Sequence, residues 1–145
     1  MRLTRYSDYS LRVLMYLAVR PGHLATIDEI SQAYGISRAH LMKVVHELGR
    51  AGFLETTRGR GGGLRLARAV DEIIVGDVVR QTEDKMDLVE CFDPATSECR
   101  IETVCALRDA LEEALDAFLT TLDGYTLADL VVRRRKPLTD LLNAS

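Results

Sequence analysis

Nowhere in this 145-residue chain do apolar residues run on toward the eighteen that a membrane-crossing helix needs, so a helical membrane protein is not expected. The start also lacks a basic stretch followed by an apolar one, the mark of a secretory leader, and the chain is expected to be cytoplasmic with no membrane partner. The one glycine-rich segment does not end in Gly-Lys-Ser or Gly-Lys-Thr, which excludes a phosphate-cradling nucleotide loop. No nucleophile stands at a telling distance from a base and no two carboxylates are paired, so the chain is not expected to be an enzyme. Internal repeats and low-complexity stretches are absent. Cysteines are scarce: there are three, at Cys91, Cys99 and Cys105, and no histidine lies beyond His46.

Those three cysteines fall in one short segment, with seven residues between the first pair and five between the second. Neither gap is the two-residue spacing of a zinc knuckle, so the segment reads as a longer loop wrapped around a metal or a cluster. In a reducing compartment three thiols favour metal ligation or redox sensing over a structural disulfide, and an odd count leaves one thiol over in any pairing scheme. Three thiolates also need a fourth ligand from elsewhere. Cys91, Cys99 and Cys105 are therefore the expected metal ligands.

The net charge of −3 conceals a polarity. Residues 1 to 70 carry eleven Lys or Arg against five Asp or Glu, a net of +6, while the remainder carries eight against seventeen, a net of −9. A basic first half suits a polyanion, and an acidic second half suits sensing or dimerisation.

Leu11, Leu14, Leu17 and Ala18 recur at helical spacing and predict a helix from about Thr4 to Val19, closed by Pro21-Gly22. Thr26-x-x-Glu29 is a capping box that opens a second helix ending at Gly35. Ser37 caps a third, with Leu41, Val44, Val45 and Leu48 facing inward, and Gly52 stops it. Two helices joined by a tight turn make a helix-turn-helix. Two short strands around Gly59 to Gly63 follow at once, so the fold class is mainly α with a small β wing: a winged helix-turn-helix domain plus a long dimerisation helix. An amphipathic helix is expected at about Val75 to Thr82. A long helix starting near Glu102 would carry a seam of Val104, Leu107, Leu111, Ala114, Phe118 and Leu122, about two and a half heptads. The tail holds a helix at Leu127 to Val132, a basic run from Arg133 to Lys136 and a last apolar turn from Leu138 to Leu142. The expected divisions are 1–82 for DNA binding (helix-turn-helix about 27–51, wing about 53–67), 83–105 for the cysteine loop, and 106–145 for the dimerisation helix and tail.

The outward face of the third helix carries Ser37, Arg38, His40 and Lys43, the residue types that reach base edges and phosphates in a major groove. Arg58 and Arg60 flank glycines at the wing tip, where a bare backbone can approach a minor groove or a phosphate run. His46 reads as a packing or surface residue, and His23 as solvated. Asp8 has two readings. It can be a first-turn acid paired with Arg12 at i,i+4. Alternatively, Asp8, Arg12, Met15 and Val19 form a stripe that faces a partner.

The opening Met-Arg-Leu-Thr with Asp8-Tyr9, Arg-Ala-Gly-Phe-Leu at 50 to 54, Arg58-Gly-Arg-Gly-Gly-Gly-Leu-Arg-Leu and the cysteine triplet ahead of a long helix resemble the winged-helix iron-sulfur regulators of the Rrf-two type. The resemblance covers essentially the whole chain. It implies a homodimer on a palindromic operator in double-stranded DNA, with one iron-sulfur cluster per subunit, expected as 4Fe-4S, with 2Fe-2S the other nuclearity. The ends of the chain, including Tyr125-Thr-Leu-Ala-Asp-Leu-Val and Pro137-Leu138, are most similar to the nitric-oxide-sensing branch. That branch implies Cys91, Cys99 and Cys105 as ligands, with Asp8 supplied by the other subunit, and a repressor that releases its operator on nitrosylation. The seven-residue cysteine gap matches the iron-responsive branch instead, so an iron-level repressor is the alternative, followed by a cluster-free thiol or zinc redox regulator.

Overall fold

The computed structural model describes residues 2–143; Met1, Ala144 and Ser145, the outer ends of the first and third expected segments, lie outside the described residues. Helix α1 spans Arg5–Ala18, with Thr4 as its N-cap: the Thr4 hydroxyl accepts from the Ser7 backbone N–H at 3.2 Å. It packs on the segments Arg38–Arg50, Gly63–Leu66, Val75–Thr82 and Leu127–Val131. Enclosure on several sides explains why its buried arc is wider than a single apolar stripe and takes in Ser7, Ser10, Val13, Leu14, Tyr16, Leu17 and Ala18. It also corrects two expectations: Val19 is buried and not part of an outward stripe with Asp8, whereas Leu11 is only half-buried.

Helix α2 (Ile27–Tyr34) opens on the expected reciprocal cap, Thr26 hydroxyl to Glu29 N–H and Glu29 carboxylate to Thr26 N–H, and ends at Gly35, whose φ of 64° is the left-handed conformation a side chain disfavours. Helix α3 (Arg38–Arg50) is capped by Ser37 and buries Leu41, Val44, Val45 and Leu48. Strands β1 (Leu54–Thr57) and β2 (Gly63–Leu66) pair antiparallel in the register Leu54↔Leu66 to Thr57↔Gly63. Ala25 adds a third edge by exchanging backbone hydrogen bonds with Leu64 at 3.1 and 2.7 Å. Gly63 makes that contact possible: a Cβ there would sit 2.8 Å from the Ala25 carbonyl oxygen.

Helix α4 (Val75–Thr82) follows, and then the cysteine segment with 3-10 turns at Glu90–Phe92 and Glu102–Val104. Helix α5 is Ala106–Asp123, shorter at its start than the apolar spacing suggests, because the extended backbone at Cys105 (ψ 102°) separates the last 3-10 turn from the helix proper. Gly76 lets α4 approach α5 closely, since a Cβ there would lie 1.9 Å from Asp123 Oδ1, and Arg80 bridges the pair with 2.6 and 2.7 Å bonds to the Asp123 carboxylate. Helices α6 (Leu127–Val131) and α7 (Arg135–Asn143) close the chain, so the expected basic run straddles a 3-10 turn, Val132–Arg134, and the first turn of α7, where Pro137 is tolerated.

The core gathers Leu14, Ile30, Leu41, Leu48, Ile73, Val78, Leu127 and Val131, each with under 2% of its surface exposed. Burying each such side chain contributes about 1.5–3 kcal/mol before the entropy cost. Helix α5 stands apart. None of its eighteen residues is buried; Leu111, Leu115, Phe118, Leu119 and Leu122 are half-covered, whereas Leu107 is 64% and Val104 83% exposed. The predicted seam is therefore split: Val104 lies outside the helix, Leu107 and Ala114 face solvent, and Leu115 and Leu119 share the covered side with Leu111, Phe118 and Leu122.

Candidate nucleic-acid interface and cysteine site

Because α3 turns Leu41, Val44, Val45 and Leu48 into the core, Arg38, Ala39, His40, Met42, Lys43 and His46 are left on its open side. The cap fixes the start of that surface. The Ser37 hydroxyl accepts from the His40 backbone N–H and lies 2.9 Å from His40 Nδ1, so Ser37 holds the His40 ring, while Arg38 forms an ion pair with Asp28 of α2. Met42, 57% exposed, was missed in the sequence; an apolar side chain on a polar face carries no periodic signal of its own. His46 is a surface residue.

At the wing tip Arg58 and Arg60 are both exposed. Among the described residues neither they nor Lys43 form an ion pair, in contrast to Arg65, whose guanidinium donates to the Glu55 carboxylate at 2.7 and 2.9 Å. Unpaired cations are available to phosphates at no cost of breaking a prior bond. His23 proves to be more than solvated: its Nε2 lies 3.0 Å from Glu29 Oε1. Burial alone would raise the Glu29 carboxyl, but hydrogen bonds from Thr26 and His23 hold it below its ordinary value.

The cysteine segment is braced by side-chain bonds: Lys85 pairs with Asp93, Asp93 Oδ1 accepts from Ala95 N–H at 3.1 Å, and the Ser97 hydroxyl donates to Glu102 at 2.8 Å while accepting from Cys99 N–H at 3.4 Å. All three cysteines are free thiols; Cys91 is buried, and Cys99 and Cys105 are half-buried. Burial, and then the neighbouring Cys99, push the Cys91 thiol above its usual range, while Arg108 at the start of α5 pulls against them. Arg108 Nε is itself buried without a hydrogen-bond partner. Its Nη2 pairs with Glu112 at 3.0 Å, and the field of the same guanidinium reaches Cys91, where it would favour the thiolate that an iron-sulfur group needs. Among the described residues, however, no three His, Cys, Asp or Glu side chains converge closely enough to hold a metal ion.

Asp8 accepts from Arg12 Nε at 2.9 Å, with Arg12 Nη2 at 2.9 Å from its second oxygen, and both side chains are partly exposed. Within one chain Asp8 is thus the i,i+4 partner of Arg12. The same turn touches α3: the Tyr9 and His40 rings lie 6.0 Å apart, and the Arg12 guanidinium sits 6.0 Å from the Tyr9 ring centre.

A family model described as Rrf2, iron-dependent transcriptional regulator, matches residues 3–133. The chain belongs to the Rrf2 family. As an Rrf2 member it is a transcriptional regulator and not an enzyme. It is 54% identical over 132 residues to the HTH-type transcriptional regulator NsrR of Bacillus subtilis, covering 90% of each chain. Among solved structures, a putative transcriptional regulator from Listeria innocua superposes with a TM-score of 0.75 at 29% identity over 90% of this chain and 85% of that one. CymR, the global cysteine regulator of B. subtilis, does so with a TM-score of 0.63 at 28% identity, over 90% and 95%. These Rrf2 neighbours share the winged-helix architecture. Among the described residues no helix is long and apolar enough to cross a membrane.

Proposed function

We propose that this Rrf2 regulator is a cytoplasmic homodimeric repressor that binds a palindromic operator and senses nitric oxide through an iron-sulfur cluster, 4Fe-4S in its resting form. The reading rests on one observation above all: three free thiols in a single braced loop of a chain half identical to NsrR. Cys91, Cys99 and Cys105 would hold the cluster, and Asp8 of the partner subunit would complete it. When bound, the cluster supplies iron that reacts with nitric oxide. Everything else belongs to the chain's own residues.

Asp8 as an oxygen donor would hold iron less firmly than a thiolate does, which would make it the ligand most readily replaced. Leaving Arg12 to bind a partner's site, Asp8 alters the contacts of the turn that carries Tyr9 against His40. Ser37, Arg38, His40 and Lys43 of α3 would enter the major groove, with Arg58 and Arg60 of the wing on the flanking backbone. The half-covered face of α5 is suited to pair two copies, setting their recognition helices about 34 Å apart, one turn of duplex. On this reading residues 1–82 bind DNA, 83–105 hold the cluster and 106–145 dimerise.

An iron-level repressor with the same ligands is the second reading, favoured by the seven-residue gap between Cys91 and Cys99 and by the family description. Protein purified without oxygen should contain iron and sulfide, and Asp8→Ala should change its visible absorption or its rate of reaction with nitric oxide. A colourless preparation free of both elements sinks either cluster reading and leaves a thiol or zinc regulator. Release of DNA by a chelator but not by nitric oxide selects the iron-level reading.

A further inference from the structure

Glu83 follows Thr82, the last residue of α4, and opens the segment that leads to the cysteines. Its Oε1 collects three donors from the first turn of α1: the Thr4 backbone N–H at 2.8 Å, the Thr4 hydroxyl at 3.0 Å, and the Ser7 hydroxyl. Behind them the Thr82 hydroxyl lies 2.8 Å from both Ser7 Oγ and the Val78 carbonyl oxygen. Ser7 and Thr82 are buried while Thr4 is exposed and Glu83 half-buried, so this chain of hydroxyls runs from the enclosed junction of α4 and α1 out to the start of the cysteine segment at the surface.

Helix capping does not require Glu83. The Thr4 hydroxyl already serves the Ser7 N–H, and a carboxylate 79 residues away in sequence is an additional contact on the same turn. That turn carries Asp8 and Tyr9, and Tyr9 meets His40 of α3. On its other side Glu83 lines a cavity of about 430 Å³ together with Met86 and Leu88 of the cysteine segment and Leu115 and Phe118 of α5. One side chain thus touches the sensing segment, borders the long helix and grips the helix that abuts the recognition helix.

We propose that Glu83 is a positioning residue that couples the state of the cysteine loop to the recognition helix, by gripping Thr4 and Ser7 at the start of α1. This deepens the sensing reading and rests on it. A shift of the loop that draws Glu83 away takes an anion from the positive end of α1 and turns the Ser7 hydroxyl from Glu83 to its remaining neighbour, the Thr4 hydroxyl at 3.1 Å, so α1 and α3 settle in a different arrangement.

The test uses the full chain and a palindromic duplex selected from a randomised pool with cluster-loaded wild-type protein. The quantity read is the ratio of apo to loaded Kd, which for ordinary couplings is about 5- to 150-fold. Glu83→Ala should lower that ratio to below about twofold, at unchanged iron content per chain. Glu83→Gln, which keeps an acceptor oxygen, should retain most of the ratio. Ser7→Ala should reproduce the loss from the α1 side without altering the loop, and it decides the matter if Glu83→Ala loads poorly. A purely structural role would weaken both affinities together, so an undiminished ratio in Ser7→Ala or in loaded Glu83→Ala overturns the proposal. A wild-type ratio of one refutes the sensing reading and the coupling with it; a large wild-type ratio that survives the variants refutes the coupling alone.

Discussion

Replacing Arg60 by alanine isolates what the unpaired cations contribute to DNA binding. Lys43, Arg58 and Arg60 are exposed and form no ion pair among the described residues, so the proposed dimer would bring six such charges to a duplex. With a slope of about −0.9 in log K against log salt per neutralised phosphate, six contacts give a slope near −5.4, or about a 2,000-fold loss of affinity between 50 and 200 mM salt. Arg60→Ala removes two contacts per dimer and should bring the slope to about −3.6, with weaker binding on every sequence alike. Arg65→Ala is the matched control, because that guanidinium is held by Glu55 on the same hairpin. Its slope should match wild type. Fluorescence anisotropy of a labelled duplex across a potassium chloride series measures both. An Arg60→Ala slope indistinguishable from wild type, or an equal change in Arg65→Ala, would refute the assignment of the wing tip to the phosphate backbone.

Gly63→Ala should cost about 1–3 kcal/mol, since its Cβ must displace the Ala25 carbonyl that closes the wing onto the core; a thermal midpoint equal to wild type would contradict this. The carboxyls of Glu29, Asp123 and Asp129 are each held below their ordinary values, Glu29 by its Thr26 and His23 bonds against the effect of burial, Asp123 by Arg80, and Asp129 by the Thr126 backbone and hydroxyl. Depressed folded-state values favour the folded protein above the unfolded carboxylate range. That stability should drain away as pH falls below about 4.5, read as a falling denaturant midpoint, whereas a midpoint that rises on acidification would falsify the sign.

Local chemistry was the most legible part of the sequence. Thr26 with Glu29, Ser37 and the span of α4 appear where capping residues and apolar spacing put them, because each depends on groups three or four positions apart. Helix α5 was legible as a helix but not as a surface: steps of three and four describe two adjacent stripes equally well, and only packing on α4 decides that Leu115 and Leu119 lie on the covered side while Ala114 does not. His23 is exposed, as expected of a solvated residue, but its bond to Glu29 is not legible in spacing because the same carboxylate also serves the capping box. The grip of Glu83 on Thr4 and Ser7 leaves no trace in spacing at all, since its partners are 76 and 79 residues away. The cysteines announced soft-ligand chemistry through their types and their crowding. Their arrangement about a bound group depends on that group and on a second chain, neither of which a single sequence describes.

The most direct test of the sensing reading is a titration of the cluster-loaded dimer, bound to its selected duplex, with nitric oxide in the absence of oxygen. The account predicts that the visible absorption of the iron-sulfur chromophore and the DNA anisotropy fall together over the same few equivalents per cluster. Loss of the chromophore with the duplex still fully bound, or no reaction at all, would contradict it.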